Sequence, residues 1–308
     1  MTIQQLEYVL AVDKYRHFVK ASEACGVTQS TLSSMIQKLE NELDIIIFNR
    51  NSHPVEPTKM GEQIISQAKV ILYNTSQIKE MVLTEKNQGE GNIKLGIIPT
   101  IAPYILPKLF KEILFTHPNI NLNVSELTTD SIIDKLHKAE LDMAILATPL
   151  EKDDLLEIPL YYEKFVAYIS PNEPIYKEAE IISSKMPSQH MWVLKEGHCL
   201  RNQVFNFCDN KSDFLPIYEA GNIDTLIRIV DENNGYTIIP ELHINLLNEN
   251  QKKNIRSLTS PQIVREVSLV VRQDYVREKL LNNIAELVKE IIPEHMIDAH
   301  LKKYAIKL

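Results

Sequence analysis

Hydrophobic positions in the first 58 residues recur with the period of short helices. Ile3, Leu6 and Leu10 fall at i, i+3 and i+7 beside Val9 and Ala11, which draws one helical face. Phe18, Ala21, Ser22 and Cys25 draw a second, shorter face, and Gly26 interrupts it. Thr28 is placed to cap a third helix, because its hydroxyl can accept a backbone N–H that a helix leaves open at its start. That helix is expected to run from Gln29 to about Leu43 with Leu32, Ile36, Leu39 and Leu43 turned inward. Its outer side carries Gln29, Ser30, Ser33, Ser34, Gln37 and Lys38. A helix, a short turn with glycine and a second helix with a polar outer face form the helix-turn-helix pattern. Asn49 to Pro57, with Pro54 and Pro57, reads as a loop or small wing.

Lys59 to about Gln88 predicts a long helix without proline. Ile64, Ala68, Ile71, Thr75, Ile78 and Val82 alternate steps of four and three, an a/d seam suited to pairing with a second copy of the helix. The plainer alternative is a helix that packs on its own domain. Gly89-Glu90-Gly91-Asn92 marks a break. Beyond it strands and helices alternate. Ile93, Leu95 and Ile97 alternate as a strand, Ile105, Leu109, Phe110 and Ile113 suggest a helix, and Ile120, Leu122 and Val124 alternate again. A helix through Ile132, Ile133 and Leu136 precedes the short apolar strand 143–147. This is βαβ logic and predicts a mostly parallel sheet. Residues 165–169 open a second lobe, while residues 267–271 and a helix from Lys279 to Ile292 close the chain.

Composition narrows the class. A chain of 308 residues has room for about two domains. Its 44% hydrophobic and 24% charged content fits a globular protein and excludes intrinsic disorder. Three cysteines exclude a disulfide scaffold. No stretch approaches the ~20 apolar residues of a membrane span. The N-terminus lacks a basic region followed by an apolar core, so a cytoplasmic protein is expected. The net charge of −8 gives no global sign of nucleic-acid binding, and residues 1–58 carry five cations against seven acids. A DNA reader built this way relies on helix N-termini, on local placement of cations and on several copies per assembly.

The run Ala21-Ser22-Glu23-Ala24-Cys25-Gly26-Val27-Thr28-Gln29-Ser30-Thr31-Leu32-Ser33 resembles the winged helix-turn-helix of LysR-type transcriptional regulators. Phe48-Asn49-Arg50 and Thr58-Lys59-Met60-Gly61 are similar to that family's wing and the start of its linker helix. The resemblance extends over the whole chain. It implies an α/β protein with an all-α N-terminal part: a winged helix-turn-helix at 1–58, a dimerising linker helix and hinge at 59–91, and a regulatory domain at 92–308. That domain would be two-lobed, like the type 2 periplasmic binding proteins, with lobe I at about 92–162 and 268–308 and lobe II at about 163–267. Amides and hydroxyls of a recognition helix can read base edges in the major groove, a role suited to Gln29, Ser30, Thr31, Ser33 and Ser34. Lys38 and Arg50 suit phosphate contacts.

Gly197-His198-Cys199-Leu200-Arg201-Asn202-Gln203 followed by Phe205-Asn206-Phe207-Cys208 looks like the peroxide-sensing OxyR branch of that family, which more often has an acid at the place of Asn202. The resemblance implies that Cys199 is the peroxide-reactive thiol and that Cys208 resolves it as a disulfide. It also places Thr100, Thr129, His198 and Arg201 in the peroxide pocket. Its implied partners are double-stranded promoter DNA, hydrogen peroxide, RNA polymerase and a thiol reductant such as glutaredoxin or thioredoxin, with a homodimer through the linker helix and a homotetramer above it. No cofactor, metal or membrane partner is implied. The residues themselves agree with a redox role. A reactive cysteine must be a thiolate, and cations such as His198 and Arg201 beside Cys199 lower a thiol pKa. Were 199–208 helical, nine steps would separate the two Cα atoms by about 13 Å, whereas a disulfide needs about 4.4–6.8 Å. Oxidation would then select a different backbone arrangement, as a switch requires.

Other readings stand beside this one. The two cysteines can be unrelated and buried, and a Cys-Cys-His metal site is disfavoured by the nine-residue separation. Cys25 on the helix-turn-helix face reads as packing. Thr100 and Thr129 can serve as helix caps, and His198 as an ordinary loop histidine. At the level of function, a LysR-type regulator with a small organic effector between its lobes is the alternative. A thiol peroxidase enzyme would have no need of the helix-turn-helix, so the chain is expected not to be an enzyme.

Overall fold

The computed structural model describes residues 1–86, 91–186, 190–194, 219–220, 222–260 and 262–297. The chain divides into two compact units, Met1–Asn87 with His137–Glu140, and Gln88–Leu136 with Leu141–Leu308.

In the first unit, α1 (Ile3–Tyr15) starts from a reciprocal cap: Gln5 N–H donates to Thr2 Oγ1 at 3.2 Å and Thr2 N–H donates to Gln5 Oε1 at 2.8 Å. Its buried face is Gln5, Leu6, Tyr8, Val9 and Val12. Of the expected face, Leu6 and Val9 are buried and Leu10 packs at the edge of the core, but Ile3 is 42% exposed, because α2 (Phe18–Ala24), α3 (Gln29–Leu43) and α4 (Lys59–Lys86) all meet the Tyr8 side. Thr28 caps α3 as expected, accepting the Thr31 N–H at 3.2 Å. Leu32, Ile36 and Leu39 are fully buried. Leu43 is 37% exposed instead, since α3 ends at Asp44 in the left-handed conformation and the chain turns away. The wing is the antiparallel pair β1 (Phe48–Asn49) and β2 (Glu56–Pro57).

Helix α4 begins inside the same core. Ile65 and Ala68 are buried in it, with Ile64, Ile71 and Leu72 packed alongside, so the first turns of the predicted seam serve their own domain. Further along, Ile78 is 65% exposed. Gly61 lets α4 approach the wing, for a Cβ there would lie 2.0 Å from the Ile47 carbonyl oxygen.

The second unit opens with β3 (Gly91–Ile97), α5 (Ala102–Thr116), β4 (Ile120–Glu126), α6 (Thr129–His137) and β5 (Met143–Thr148). Strand β3 is parallel to both β4 and β5, which is the βαβ arrangement read from the sequence. Gly96 permits close packing of α6 there; an added Cβ would meet Leu141 Cδ1 at 2.7 Å and Ile132 Cγ1 at 3.3 Å. The long β6 (Leu155–Ile169) then leaves the first lobe, and its second half belongs to the core of another. That second lobe contains β7 (Glu180–Ile182), β8 (Val193–Leu194), β9 (Glu219–Ala220), α7 (Ile223–Asn233), β10 (Tyr236–Pro240), a 3-10 turn at Glu241–Leu246, α8 (Glu249–Lys252) and β11 (Ile255–Thr259). Strand β12 (Val264–Arg272) returns to lobe I, where α9 (Glu278–Ile291) closes the core.

The sheet order is β4-β3-β5-β12-β6-β11-β7, with β10 also paired to β6. It is mixed rather than mostly parallel. Strand β12 is antiparallel to both β5 and β6, and β10 and β11 are antiparallel to β6. A chain that leaves a lobe and comes back must cross in opposite directions, so its two connecting strands pair antiparallel. Arg265 faces Glu163 across that crossing, and Glu266 faces Tyr162.

Gly61→Ala is expected to destabilise the first unit by about 1–3 kcal/mol, because backbone and not a flexible side chain stands in the way of the new methyl. An unchanged urea midpoint by circular dichroism would contradict the close approach of α4 to the wing.

Candidate functional site

On the N-terminal unit, Gln29, Ser30, Thr31, Ser34 and Lys38 are exposed together along α3, and Ser33 is half-buried. Thr28 Oγ1 lies 3.0 Å from Ser30 Oγ and 2.8 Å from Thr31 Oγ1, so the first turn presents a cluster of hydroxyls beside the open N–H groups of the helix start. Arg50 is held in place rather than swinging free. Its Nη1 donates to Ser33 Oγ at 2.8 Å and its Nη2 to Glu40 Oε2 at 2.9 Å, with the guanidinium 5.3 Å from the Phe18 ring centre. Glu40 in turn accepts the backbone N–H groups of Ile47 and Phe48. The guanidinium therefore fixes the wing to the recognition helix, and the Ser33 hydroxyl is engaged in that link. Cys25 ends α2 and is half-buried against the core, and burial together with the nearby Glu7 raises its thiol pKa, which disfavours the thiolate.

On the second unit, Thr100 and Thr129 follow the carboxyl ends of the adjacent parallel strands β3 and β4, where open α/β sheets bind ligands. The Leu127 N–H donates to the Ile97 carbonyl at 3.0 Å and ties the two strand ends together. Thr129 Oγ1 is buried and has no hydrogen-bond partner among the described residues. Thr100 is buried for a different reason. Arg265 Nη1 donates to its Oγ1 at 3.0 Å, and Arg265 Nη2 donates to its carbonyl at 3.0 Å. Because that hydroxyl accepts from a cation, its own proton remains available to donate onward. His198, Arg201, Cys199 and Cys208 lie outside the described residues.

Arg265 was not among the residues singled out from the sequence, and neither was its partner Glu163. Both are completely buried. Arg265 Nε donates to Glu163 Oε2 at 2.8 Å, and Nη2 stands 2.6 Å from the same oxygen. Glu163 Oε1 accepts the Leu242 N–H at 2.9 Å. Burial raises the Glu163 carboxyl, and Arg265 and the Leu242 N–H draw it back down. The available signal was the pair Arg265-Glu266 inside a strand rich in valine and leucine, since an ionised group buried in a strand demands a partner.

Next to this pair, Tyr104 Oη lies 2.7 Å from His243 Nδ1, with the rings perpendicular and 5.8 Å apart. His243 is buried, and burial lowers its pKa while Asp224, with Oδ1 at 3.6 Å from Nε2, opposes the shift. The arrangement offers a small polar ligand two threonine hydroxyls at strand ends, one of them oriented by a buried cation. No group of metal-ligating side chains occurs among the described residues, and no helix of theirs is long and apolar enough to cross a membrane.

Comparison with known proteins places these features in a family. Residues 3–62 match the model of the bacterial regulatory helix-turn-helix proteins of the lysR family, and residues 86–292 match the LysR substrate binding domain. The chain is 33% identical over 293 residues to the hydrogen peroxide-inducible genes activator of Haemophilus influenzae, covering 94% of this chain and 97% of that protein. It is 29% identical over 296 residues to the DNA-binding transcriptional dual regulator OxyR of Escherichia coli, covering 96% and 97%. Among solved structures, a full-length OxyR variant from Pseudomonas aeruginosa shares 30% identity with a TM-score of 0.77, covering 94% of this chain and 98% of that one. OxyR from Porphyromonas gingivalis shares 35% identity with a TM-score of 0.63 over 68% of this chain and 96% of that chain.

Two outcomes follow from the geometry. Glu163→Ala leaves the Arg265 charge buried without its carboxylate and is expected to cost about 3–5 kcal/mol in denaturant unfolding; a loss below about 1 kcal/mol would mean that water reaches the guanidinium. The second concerns acid. His243 binds its proton less readily folded than unfolded, so the stability tied to its neutral form is present above its ordinary value of 6.5 and is lost as pH falls below it. The advantage of wild type over His243→Asn in urea midpoint should therefore shrink between pH 7.5 and 5.5. A constant difference would show that His243 does not titrate differently on folding.

Proposed function

The chain belongs to the LysR family of bacterial helix-turn-helix transcription regulators, and on that premise we propose that it is a hydrogen-peroxide-responsive, DNA-binding activator of the OxyR type. The relatives named as hydrogen peroxide-inducible genes activators match it nearly end to end, so both the DNA reader and the regulatory domain are included in the likeness. The observation that carries the peroxide reading is the pair of threonine hydroxyls at the ends of β3 and β4. One is oriented by Arg265, and the other is buried without a partner among the described residues. Two such hydroxyls suit a ligand of two bonded oxygens.

In the finer mechanism, the Cys199 thiolate attacks one peroxide oxygen. The S–O bond forms as the O–O bond breaks, and the departing hydroxide takes a proton and leaves as water. Cys199 is then a sulfenic acid. The Cys208 thiolate attacks its sulfur, the S–S bond forms, and the second oxygen leaves as water. Two thiols are oxidised while one peroxide is reduced to two waters. Thr100, Thr129, His198 and Arg201 orient the peroxide and its leaving oxygen. A thiol reductant of the glutaredoxin or thioredoxin kind resets the pair.

The rearranged regulatory domain alters how the reader contacts promoter DNA and RNA polymerase. Gln29, Ser30, Thr31 and Ser34 read bases, Lys38 contacts phosphate, and Arg50 with Ser33 holds the wing in register. Ile78, exposed on the linker helix, supports a homodimer through α4, with a homotetramer as the working assembly in the cytoplasm. Stoichiometric oxidation, with no turnover of many peroxides per chain, separates this regulator from a peroxidase enzyme.

Cys199→Ser is expected to abolish the peroxide-dependent change in DNA footprint, whereas Cys208→Ser stops at sulfenic acid and over-oxidises to sulfinic acid. Peptide mass mapping at low peroxide should find a Cys199–Cys208 bond that dithiothreitol reverses. A bond to Cys25, or a footprint response that survives Cys199→Ser, would favour the regulator of a small organic effector instead.

A further inference from the structure

We propose that Tyr104 and His243, hydrogen-bonded to each other and with the Asp224 carboxylate poised beside His243, form a relay that positions the Thr100 hydroxyl from lobe II, so that the placement of lobe II controls the peroxide chemistry in lobe I. The inference rests on the peroxide reading of the Thr100 site. It assigns positioning roles to three residues that stand outside the cysteine pair.

The relay has a defined direction. Burial keeps Tyr104 a neutral phenol. The Asp224 carboxylate, which can only accept, faces Nε2, so we assign the histidine proton to Nε2 and make Nδ1 the acceptor of the Tyr104 hydroxyl. A neutral histidine that accepts at Nδ1 carries its proton on Nε2. That proton faces Asp224 Oδ1, 3.6 Å away in the first turn of α7, where a carboxylate also suits the helix start. Nε2 has no hydrogen-bond partner among the described residues, so a shift of a few tenths of an ångström in lobe II makes or releases this contact. The charged groups that act on Tyr104 are Glu163, Arg265 and Asp224, and Glu241, two residues before His243, pairs with His295 at 3.4 Å.

Two routes lead from the turn that carries His243 to Thr100. Tyr104 sits one turn beyond it in α5, so its phenol fixes the start of the helix that follows the Thr100 loop. His243 directly follows Leu242, whose N–H holds Glu163, which holds Arg265, which donates to Thr100. Two consecutive residues of the 3-10 turn, which straddles the lobes with Leu242 in the lobe I core and Ile244 packed against that of lobe II, thus grip one threonine of lobe I by independent routes, one through α5 and one through the crossing strands β6 and β12. A movement of the 3-10 turn at Glu241–Leu246 displaces both routes together. An apolar contact at His243 would supply burial without this directional hold. On the other side, α7 follows β9, and β9 pairs with β8, so Asp224 is joined to the two strands that bracket the cysteine-bearing stretch in sequence.

The test uses the full-length reduced chain with Tyr104→Phe, His243→Phe, the double variant and His243→Asn, all near-isosteric. Two quantities are measured: the rate of Cys199–Cys208 bond formation with hydrogen peroxide, and the hydrogen-exchange protection of amides 98–105. Each phenylalanine variant is expected to slow the bond about ten- to hundredfold, as misplacing a positioned group does. The double variant should be no slower than the worse single one, because both act on the same hydrogen bond. His243→Asn, which keeps an acceptor for Tyr104, should recover most of the rate. Unchanged single-variant rates, or effects that multiply in the double variant, would overturn the relay. Should wild type form no such bond, the peroxide reading itself fails, and exchange then decides the positioning role. Lost protection at 98–105 in Tyr104→Phe and His243→Phe upholds it, and unchanged protection refutes it.

Discussion

The regulatory domain is organised around one cation that cannot reach water. Removing a guanidinium from solvent costs several kcal/mol even after the protein relaxes, so its donors must all be satisfied by nearby groups in good geometry. Arg265 meets that demand with a carboxylate from β6 and with the hydroxyl and carbonyl of Thr100. Each partner comes from a different part of the chain, and the carboxylate adds a fourth by accepting the Leu242 N–H. The result is a constraint more than a source of stability. An apolar pair of similar volume would stabilise the fold as well or better, but it would tolerate sliding, whereas the fork of Arg265 accepts one register of the crossing strands and one position of the Thr100 loop.

The DNA-reading unit solves a related problem with scarce positive charge. Five cations against seven acids leave little long-range attraction for phosphates. Part of what exists is tied up internally, since Arg50 is committed to Glu40 and Ser33. Glu40 is the pivot of that arrangement, with one oxygen on the wing's backbone and the other on Arg50. Affinity in such a reader depends on exact placement of hydroxyls and amides and on repetition in an oligomer, where each further reader binds at high effective concentration. A rigid wing and recognition helix are therefore worth more here than one additional mobile cation.

What the sequence disclosed follows the range of the forces involved. Helices α1 to α4 and the β3–α5–β4–α6–β5 order were legible because each buries one face against a single core, and periodicity records that directly. The exposure of Ile3 and Leu43 was not, since it depends on which neighbours a helix meets. Thr100 and Thr129 were placed through family resemblance, and the structure sets them just beyond the ends of adjacent strands. Glu163 and Arg265 are separated by 102 positions, and no local pattern joins an acid in one strand to a base in another. Tyr104 and His243 are 139 positions apart and belong to different lobes, so neither signals the other in sequence. Cys199 and Cys208 were recognisable through family resemblance and the cations beside them, and they lie outside the described residues.

A polar crossing between lobes has a property that an apolar one lacks. Apolar burial weakens in proportion to the area uncovered, so a lobe that shifts slightly loses slightly. A hydrogen bond inside a low-dielectric crossing is lost over a fraction of an ångström, and the buried partner left behind carries its full desolvation cost. Linking Leu242 and His243 to Thr100 by such bonds makes the site respond to lobe placement in steps. Two discrete arrangements, each with its donors satisfied, are what converts a small chemical event into a change of state. The same requirement explains why the residues that couple the lobes are polar or charged, Tyr104, His243, Arg265 and Glu163, while both cores are built mainly of apolar side chains.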